Sequence, residues 1–437
     1  MTELDAIIQH LNSAYDRPIR DPVWHHVYLS EPLVTLVSRP EMLKLTRIKQ
    51  LGPGYLVYPG ATHTRLNHSI GVFHLARRII QKLVFSASCP SLTLIGVKSF
   101  LTAALLHDLG HFPYTHSLKE LSLKEHEHLA ALAIRGTDLG AYIRDAVGAD
   151  PDMVASIIDE ERIAPEGTEL TLYRSILSGA LDPDKLDYLN RDAYFCGVPY
   201  GLQDVDFVID QLEPLPDYRL ALKRDGIQAV ETILFSKYLM YRAVYWHKTV
   251  RVATAMIKKG LYLSLRDQYI MPESLYGLDD ESFVRVMQDS GSPSAEIIGD
   301  VSMRRFHKVL YDIPFDAENP TINQLSDMGV RTRLEAEIAH ELKGIPGVAV
   351  DETDVIVDIP ERVSFEVEIP ITERGRIQDF PDAGSVFTTD VVREFTASLR
   401  RVRVMCRPQP GLTTEQTAPI FASAFGQTAA DRSGFQV

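Results

Sequence analysis

One stretch constrains this chain more than any other: "SFLTAALLHDLGH" (Ser99–His111). Apolar residues occupy every face of the helix it would form, so that helix belongs in an interior. Yet it runs straight into the adjacent pair His107–Asp108. An imidazole and a carboxylate at a buried helix end need partners. A hydrogen bond between the two is one answer and a cation is another. Two distant stretches supply the rest of a cation's cage: "RLNHS" (Arg65–Ser69) contributes His68, and "DPDKLDYLNRD" (Asp182–Asp192) contributes Asp184. Two imidazoles and two carboxylates suit a borderline or hard divalent ion that activates water against a phosphate.

Charge narrows the partner classes. Acidic residues outnumber basic ones 59 to 45, for a formal net charge of −14, which argues against nucleic acid or an anionic membrane as a broad electrostatic partner. A phosphate-handling chain with such an exterior has to concentrate its cations at the site. Cys89, Cys196 and Cys406 are far apart and form no Cys-x-x-Cys pair, so neither a disulfide framework nor a thiolate zinc site is indicated. Ordinary reduced thiols fit. The N-terminal "MTELDAIIQHLNSAYDRP" has early acids and no long apolar region, unlike a secretory leader. No stretch is long and apolar enough to span a bilayer. The reading is a soluble, cytoplasmic protein.

Hydrophobic spacing predicts a mainly α fold with a small α+β appendage at its C-terminal end. Residues 1–60 read as irregular with short strands, "HHVYLSEPLVTLV" having β-type composition. Residues 61–320 read as a helical core: "RLNHSIGVFHLARRIIQKLVF", the Ser99 run, then helices over Glu125–Ala133, Asp152–Asp159, Leu172–Leu181 and Lys185–Tyr194. After a short strand in "YRLALKRDG", the stretch "AVETILFSKYLMYRAVYWHKTVRVATAMIKKGLYLSL" forms one or two long helices. Residues 321–410 read as the α+β unit, with helices in "RTRLEAEIAHELKG" and "TTDVVREFTASLRR" and strands in "DVIVDI", "VSFEVEIPI" and "VRVMC". The rest, 411–437, rich in Thr, Ala, Gly and Gln, reads as a flexible tail.

The order His68, His107–Asp108, Asp184 resembles the HD-domain superfamily of metal-dependent phosphohydrolases. "RIKQLG" (Arg47–Gly52), "HTRLNHSIGV" (His63–Val72), "LLHDLGHFPYTHS" (Leu105–Ser117), "DPDKLDYLNRDAYFCGV" and "YRAVYWHK" (Tyr241–Lys248) are similar to the deoxynucleoside triphosphate (dNTP) triphosphohydrolase branch, in its short bacterial form. The resemblance covers about Arg47 to Arg251. It implies an HD-domain helical core and one divalent ion (Mn²⁺, Fe²⁺, Zn²⁺, Co²⁺ or Mg²⁺) on His68, His107, Asp108 and Asp184. The implied reaction is hydrolysis of a dNTP to deoxynucleoside and inorganic triphosphate.

The resemblance assigns further roles. His111 and His126 would face the reacting phosphate, and His116 would lie near the leaving oxygen or attacking water. Imidazole suits such work because it exchanges protons near neutral pH; a solvated His-rich loop and a second metal site are the alternatives. Arg65, Lys185 and Lys237 would contact phosphates, Tyr188 and Asp192 the sugar, and Tyr245 would crowd a ribose 2′-hydroxyl. His63 and His128 read as surface residues. Two positions depart from the pattern: Leu43 stands where a sugar-reading glutamine is expected, and Lys119, with Glu120 beside it, where an acid supports His116. The resemblance further implies a homodimer or homotetramer with nucleotide effector sites. Two other readings stand beside it: a phosphohydrolase or phosphodiesterase acting on monophosphates, cyclic nucleotides or nucleic-acid ends, and a non-catalytic nucleotide-sensing oligomer.

Overall fold

Burial along the Ser99 run follows its composition. The helix Leu94–Leu106 is capped by Thr93, whose side chain accepts from Gly96 N–H, and Phe100 to Leu106 are all buried. It packs on the helix Arg65–Leu83, which in turn packs on Pro183–Cys196. Gly71 makes the second contact possible. A Cβ there would meet Asp187 Oδ1 at 1.8 Å and Arg191 Nη2 at 2.5 Å. Gly110 does the same for the next helix, His126–Ile134: its Cβ would fall 1.9 Å from the His126 carbonyl oxygen. These two glycines set the approach of the helices that carry the histidines.

The computed structural model describes residues 1–161, 167–361, 363, 365 and 368–426. Within them the fold is mainly helical. The expected helices lie at Pro151–Ile158, Glu169–Leu177, Met328–Leu342 and Thr389–Leu399. The long "AVETILF…" stretch is two helices, Ile227–Met240 and Lys248–Arg266. A π-helical turn, Tyr241–Tyr245, separates them, a conformation often met at functional sites.

Three sheets are small. Arg17–Asp21 and His25–Leu29 form an antiparallel pair. A four-stranded sheet runs Leu212–Pro214, Leu220–Lys223, Pro370–Glu373, Arg376–Asp379, the middle pair parallel. A three-stranded antiparallel sheet runs Lys308–Pro314, Arg401–Cys406, Val355–Asp358. The chain thus crosses the expected boundary at 320 twice. Strand Lys308–Pro314 pairs into the C-terminal sheet, and the 370–379 hairpin returns to the core. Core cluster residues Phe365, Ile371, Phe380 and Phe387 pack with the first-half helices.

Several local expectations need correction. The first sixty residues hold a helix, Glu3–Ser13, with a Thr2/Asp5 capping box and Ile7 and Leu11 buried. In "HHVYLSEPLVTLV" only His25–Leu29 is strand; Pro32 lies in the first turn of a helix, Glu31–Val37. Of "VSFEVEIPI" only Pro370 and Ile371 lie in a strand, and Ser364, Glu366 and Val367 fall outside the described residues. The tail expected to be flexible over 411–437 contains a helix, Thr414–Ala424. Thr413 and Gln416 cap it, and Phe421 and Phe425 sit against Tyr311 at 5.4 and 5.7 Å between ring centroids. Residues 427–437 lie outside the described residues.

Candidate metal centre and its cavity

The helix ends converge on a cavity of about 700 Å³. Arg65 and His68 enter from the first turn of their helix, His107 and Asp108 from the end of theirs, and Asp184 and Lys185 from the first turn of Pro183–Cys196. His68, His107 and Asp184 offer ligand atoms that all lie within 4.8 Å of one another.

His107 shows why a cation fits. Its Nδ1 lies 3.0 Å from the Ala104 carbonyl oxygen, which can only accept, so Nδ1 donates there and Nε2 is the atom left to face the cavity. That buried Nε2 has no hydrogen-bond partner. It faces carboxylate oxygens of Asp108 at 3.3 Å and Asp184 at 3.8 Å. An imidazole nitrogen turned toward two carboxylate oxygens calls for a positive centre between them, a proton or a metal ion.

His68 repeats the pattern with a second carboxylate behind it. Its Nε2 lies 2.8 Å from Asp184 Oδ1 and its Nδ1 2.8 Å from Asp187 Oδ2. Burial alone would pull the His68 imidazolium down, but the hydrogen bonds and charges of Asp184 and Asp187 outweigh it and push it up to about 10. Burial likewise opposes ionisation of Asp184, but His68 wins and holds that carboxyl at about 2. A proton on Nε2 therefore occupies the place a metal ion would take, while Asp187 keeps Nδ1 protonated and the ring fixed.

Asp187 was not singled out by the sequence. It is fully buried, receives Nε and Nη2 of Arg191 at 2.8 and 2.9 Å, and accepts the Trp24 indole N–H at 2.5 Å. Arg191 reaches on to Asp21 at 2.8 Å. The available signal was its spacing: Asp184, Asp187 and Arg191 lie on one helix face at i, i+3 and i+7.

Asp108 turns the other way. Its Oδ2 accepts from Arg65 Nη1 at 2.8 Å and its Oδ1 lies 3.1 Å from His111 Nε2. Burial disfavours its charge, but Arg65, His111 and His107 together hold it well below the usual carboxylate range. Arg65, expected on a phosphate, is thus already paired within the site.

His111, His116 and His126 form a second group. Ring centroids lie 3.9 Å apart for His111 and His126, 4.7 Å for His111 and His116, and 5.0 Å for His116 and His126. Burial, then neighbouring cations and imidazoles, push all three well below the ordinary histidine range. They are therefore neutral at pH 7. Glu120 does not stand in for the acid absent at Lys119: its carboxylate is taken by Lys258 and Arg331.

The remaining wall is cationic and aromatic. Lys185 Nζ bonds the Gly179 carbonyl oxygen at 2.9 Å and Asp182. Lys237 lies 5.3 Å from the Phe365 ring centroid, and burial pushes its amine down to about 8. Tyr188, Tyr241 and Tyr245 line the same cavity; Tyr241, on the π turn, was not anticipated. Tyr245 OH donates to Asp192 Oδ2 at 2.7 Å. His63, read as a surface residue, is 2% exposed and lies 2.8 Å from Asp192 Oδ1, its ring stacked on Phe195. The rigid partner for Asp192 draws it inward. His128 is exposed, as expected. No helix among the described residues is long and apolar enough to cross a membrane.

Comparison with known proteins agrees with this geometry. Residues 65–192 match the HD domain, and residues 204–391 match the HD associated region. The Bacillus subtilis protein YwfO is 35% identical over 56% of this chain and 55% of its own length. The Methanocaldococcus jannaschii protein MJ1154 is 32% identical over 62% and 55%. The chain spans about half the length of these relatives. A Dictyostelium discoideum protein named as a deoxynucleoside triphosphate triphosphohydrolase SAMHD1 homolog is 24% identical over 95% of this chain and 82% of its own. A solved phosphohydrolase from Bacteroides thetaiotaomicron shares the fold with a TM-score of 0.69 at 23% identity, over 90% of this chain and 99% of that one. With the HD pattern matched from Arg65 through Asp192 and its imidazoles and carboxylates gathered at one cavity, the chain carries an HD domain with its associated region and belongs with the HD-domain phosphohydrolases, being similar to their dNTPase-like branch.

Proposed function

We propose that this protein hydrolyses deoxynucleoside triphosphates to the deoxynucleoside and inorganic triphosphate, by attack of water on the α-phosphorus. One observation carries the reading: a single cavity of about 700 Å³ joins an acid-crossed pair of imidazoles, the imidazoles of His116 and His126, with His111 packed behind them, and the amines of Lys185 and Lys237. That volume lies in the range of small-molecule sites. His68, His107, Asp108 and Asp184 would hold one divalent ion, which when bound supplies Lewis-acid polarisation of a phosphoryl oxygen and of water.

The chain's own groups do the rest. Arg65 balances Asp108, so one carboxylate of the cage does not repel the incoming phosphates. Lys185 and Lys237 receive the phosphate tail, and a triphosphate beside Lys237 favours its charged form. His126 presents a neutral imidazole to developing phosphoryl charge, and His111, packed behind it with its ring centroid 3.9 Å away, backs it from outside the cavity lining. His116, neutral, takes a proton from the attacking water on its free ring nitrogen and passes it to the leaving 5′-oxygen. Asp192, fixed by His63 and Tyr245, accepts from the sugar 3′-hydroxyl, and Tyr245 crowds a 2′-hydroxyl.

The test is product identification. Purified protein, incubated with each dNTP and several divalent metals, is expected to release tripolyphosphate and deoxynucleoside together. Release of monophosphate or pyrophosphate alone would rule the reaction out. One observation favours a second reading. Leu43, at the position of the expected glutamine, is 41% exposed and is not among the residues lining the cavity. A looser sugar site suits other nucleotide phosphate esters, and a panel of rNTP, dNMP, cyclic nucleotide and oligonucleotide separates the two.

A further inference from the structure

The turn that carries His116 does not hold itself in place. It is a 3-10 helix, Thr115–Leu121, entered through Tyr114 at φ 64° and left through Ser122 at φ 53°. Both are left-handed conformations that non-glycine residues adopt at an energetic penalty, so contacts from outside must fix them. Tyr114 packs edge-on to Phe283 and Leu118 is buried in the core, while the polar hold comes through Glu120. Its two carboxylate oxygens accept Nη1 and Nη2 of Arg331 at 3.1 Å each, and Oε2 also accepts Lys258 Nζ at 2.7 Å. Arg331 and Lys258 are each 2% exposed. Two buried cations from two helices thus converge on one carboxylate; without Glu120, Lys258 keeps Glu361 while Arg331 loses the carboxylate its fork grips.

Arg331 belongs to the helix Met328–Leu342, in the C-terminal half of the chain. Its Nε donates to the Leu325 carbonyl oxygen at 2.8 Å, so its fork is aimed from its own element before it meets Glu120. Lys258 also meets Glu361 at 3.3 Å, and Glu361 lines the cavity. The C-terminal half therefore grips the His116 turn from behind. The acid that the family pattern places beside His116 is here Lys119, which is exposed.

We propose that Arg331 and Glu120 form a clamp by which the C-terminal half positions His116, making Arg331 a positioning residue for hydrolysis although it touches no substrate. This rests on the reading of His116 given above. The test uses the full chain with Arg331→Met, Arg331→Lys and Glu120→Gln. It measures kcat and KM for dNTP, bound metal, and amide hydrogen exchange across residues 114–123. Arg331→Met is expected to lower kcat by about 10–100-fold, the scale of a misplaced catalytic group, with KM and bound metal unchanged and exchange accelerated in 114–123. Arg331→Lys keeps the charge without the fork and falls between. If Arg331→Met does not fold, Glu120→Gln keeps the shape and removes only the charge. An unchanged kcat, unchanged exchange at the turn, or a fall in metal content parallel to kcat would overturn the clamp. Exchange is read without nucleotide, so failure of wild-type protein to release tripolyphosphate rejects the proposed reaction while the clamp is still judged on its own.

Discussion

Two groups of histidines stand at one cavity, with His111 behind its wall, and are held in opposite states. His68 lies between Asp184 and Asp187 and is pushed up to about 10. His111, His116 and His126 have one another, Arg65 and Lys119 for neighbours, with Asp108 as a weaker counterweight, and are pushed well below the ordinary range. His68, His111 and His126 are buried, and His116 opens onto the cavity, so burial does not separate the first group from the second. Carboxylates do. An imidazole crossed by two acids attracts positive charge, proton or metal, whereas an imidazole among cations stays neutral and suits an anion. The division of labour between cation cage and phosphate face follows from where the acids stand.

The comparison breaks most severely if Asp184 is removed. Asp184→Ala takes away the carboxylate that both His68 and His107 face, and bound metal and hydrolysis are both expected to fall to background. Elemental analysis of purified protein alongside product assay checks this; metal retained at wild-type level would contradict the cage. On the other side, His116→Asn or His126→Asn is expected to lower turnover by about 10²–10⁴-fold while bound metal stays. Loss of metal in either variant would merge the two groups into one site.

Asp187→Asn sharpens the comparison by keeping shape and removing charge behind His68. Metal affinity is expected to fall by about 10–100-fold, the usual effect of losing a carboxylate that orients a histidine ligand. Stability is expected to fall by roughly 3 kcal/mol, because Arg191 would keep only Asp21 as a carboxylate partner. Chelator competition and urea unfolding measure the two separately. An affinity unchanged with stability lowered would assign Asp187 to Arg191 alone.

How much of this was legible depended on whether a residue's role follows from local pattern. His107 and Asp108 stand out because an apolar helix runs into them, and the helices themselves follow hydrophobic spacing. Asp187 and His63 were missed because their roles are set by partners far away, Asp187 by Trp24 and His68 and His63 by Asp192. A histidine in a polar loop looks solvent-facing until its partner is placed. The Glu3–Ser13 helix was readable from its capping box but its buried residues are few. The helix Thr414–Ala424 is apolar on the side that meets Tyr311, a contact that depends on a strand about a hundred residues earlier. The returning hairpin, Pro370–Asp379, obeys the same limit. Its parallel pairing with Leu220–Lys223 is non-local and leaves no periodic trace.

The smallest effect extends the comparison beyond the cavity. His307 is 4% exposed and neither ring nitrogen has a hydrogen-bond partner. Burial, then Arg407, push it down to about 4, with Asp300 too weak to offset them. It is a depressed imidazole like those of the second group, but it is not among the residues lining the cavity. In the unfolded chain it titrates near 6.5, so between pH 6.5 and about 4 the unfolded state binds a proton that the folded state refuses. The stability it contributes is complete above pH 6.5 and is lost as pH falls through that window. His307→Leu removes this dependence. Wild-type protein is expected to lose about 1–2 kcal/mol more than the variant between pH 7 and pH 5, read from urea midpoints in the presence of chelator. His10 and His74, also depressed to about 4, remain in both proteins and cancel in the difference. An equal loss in both would mean that His307 is protonated in the folded chain, and that burial without a carboxylate does not suffice to keep an imidazole neutral here.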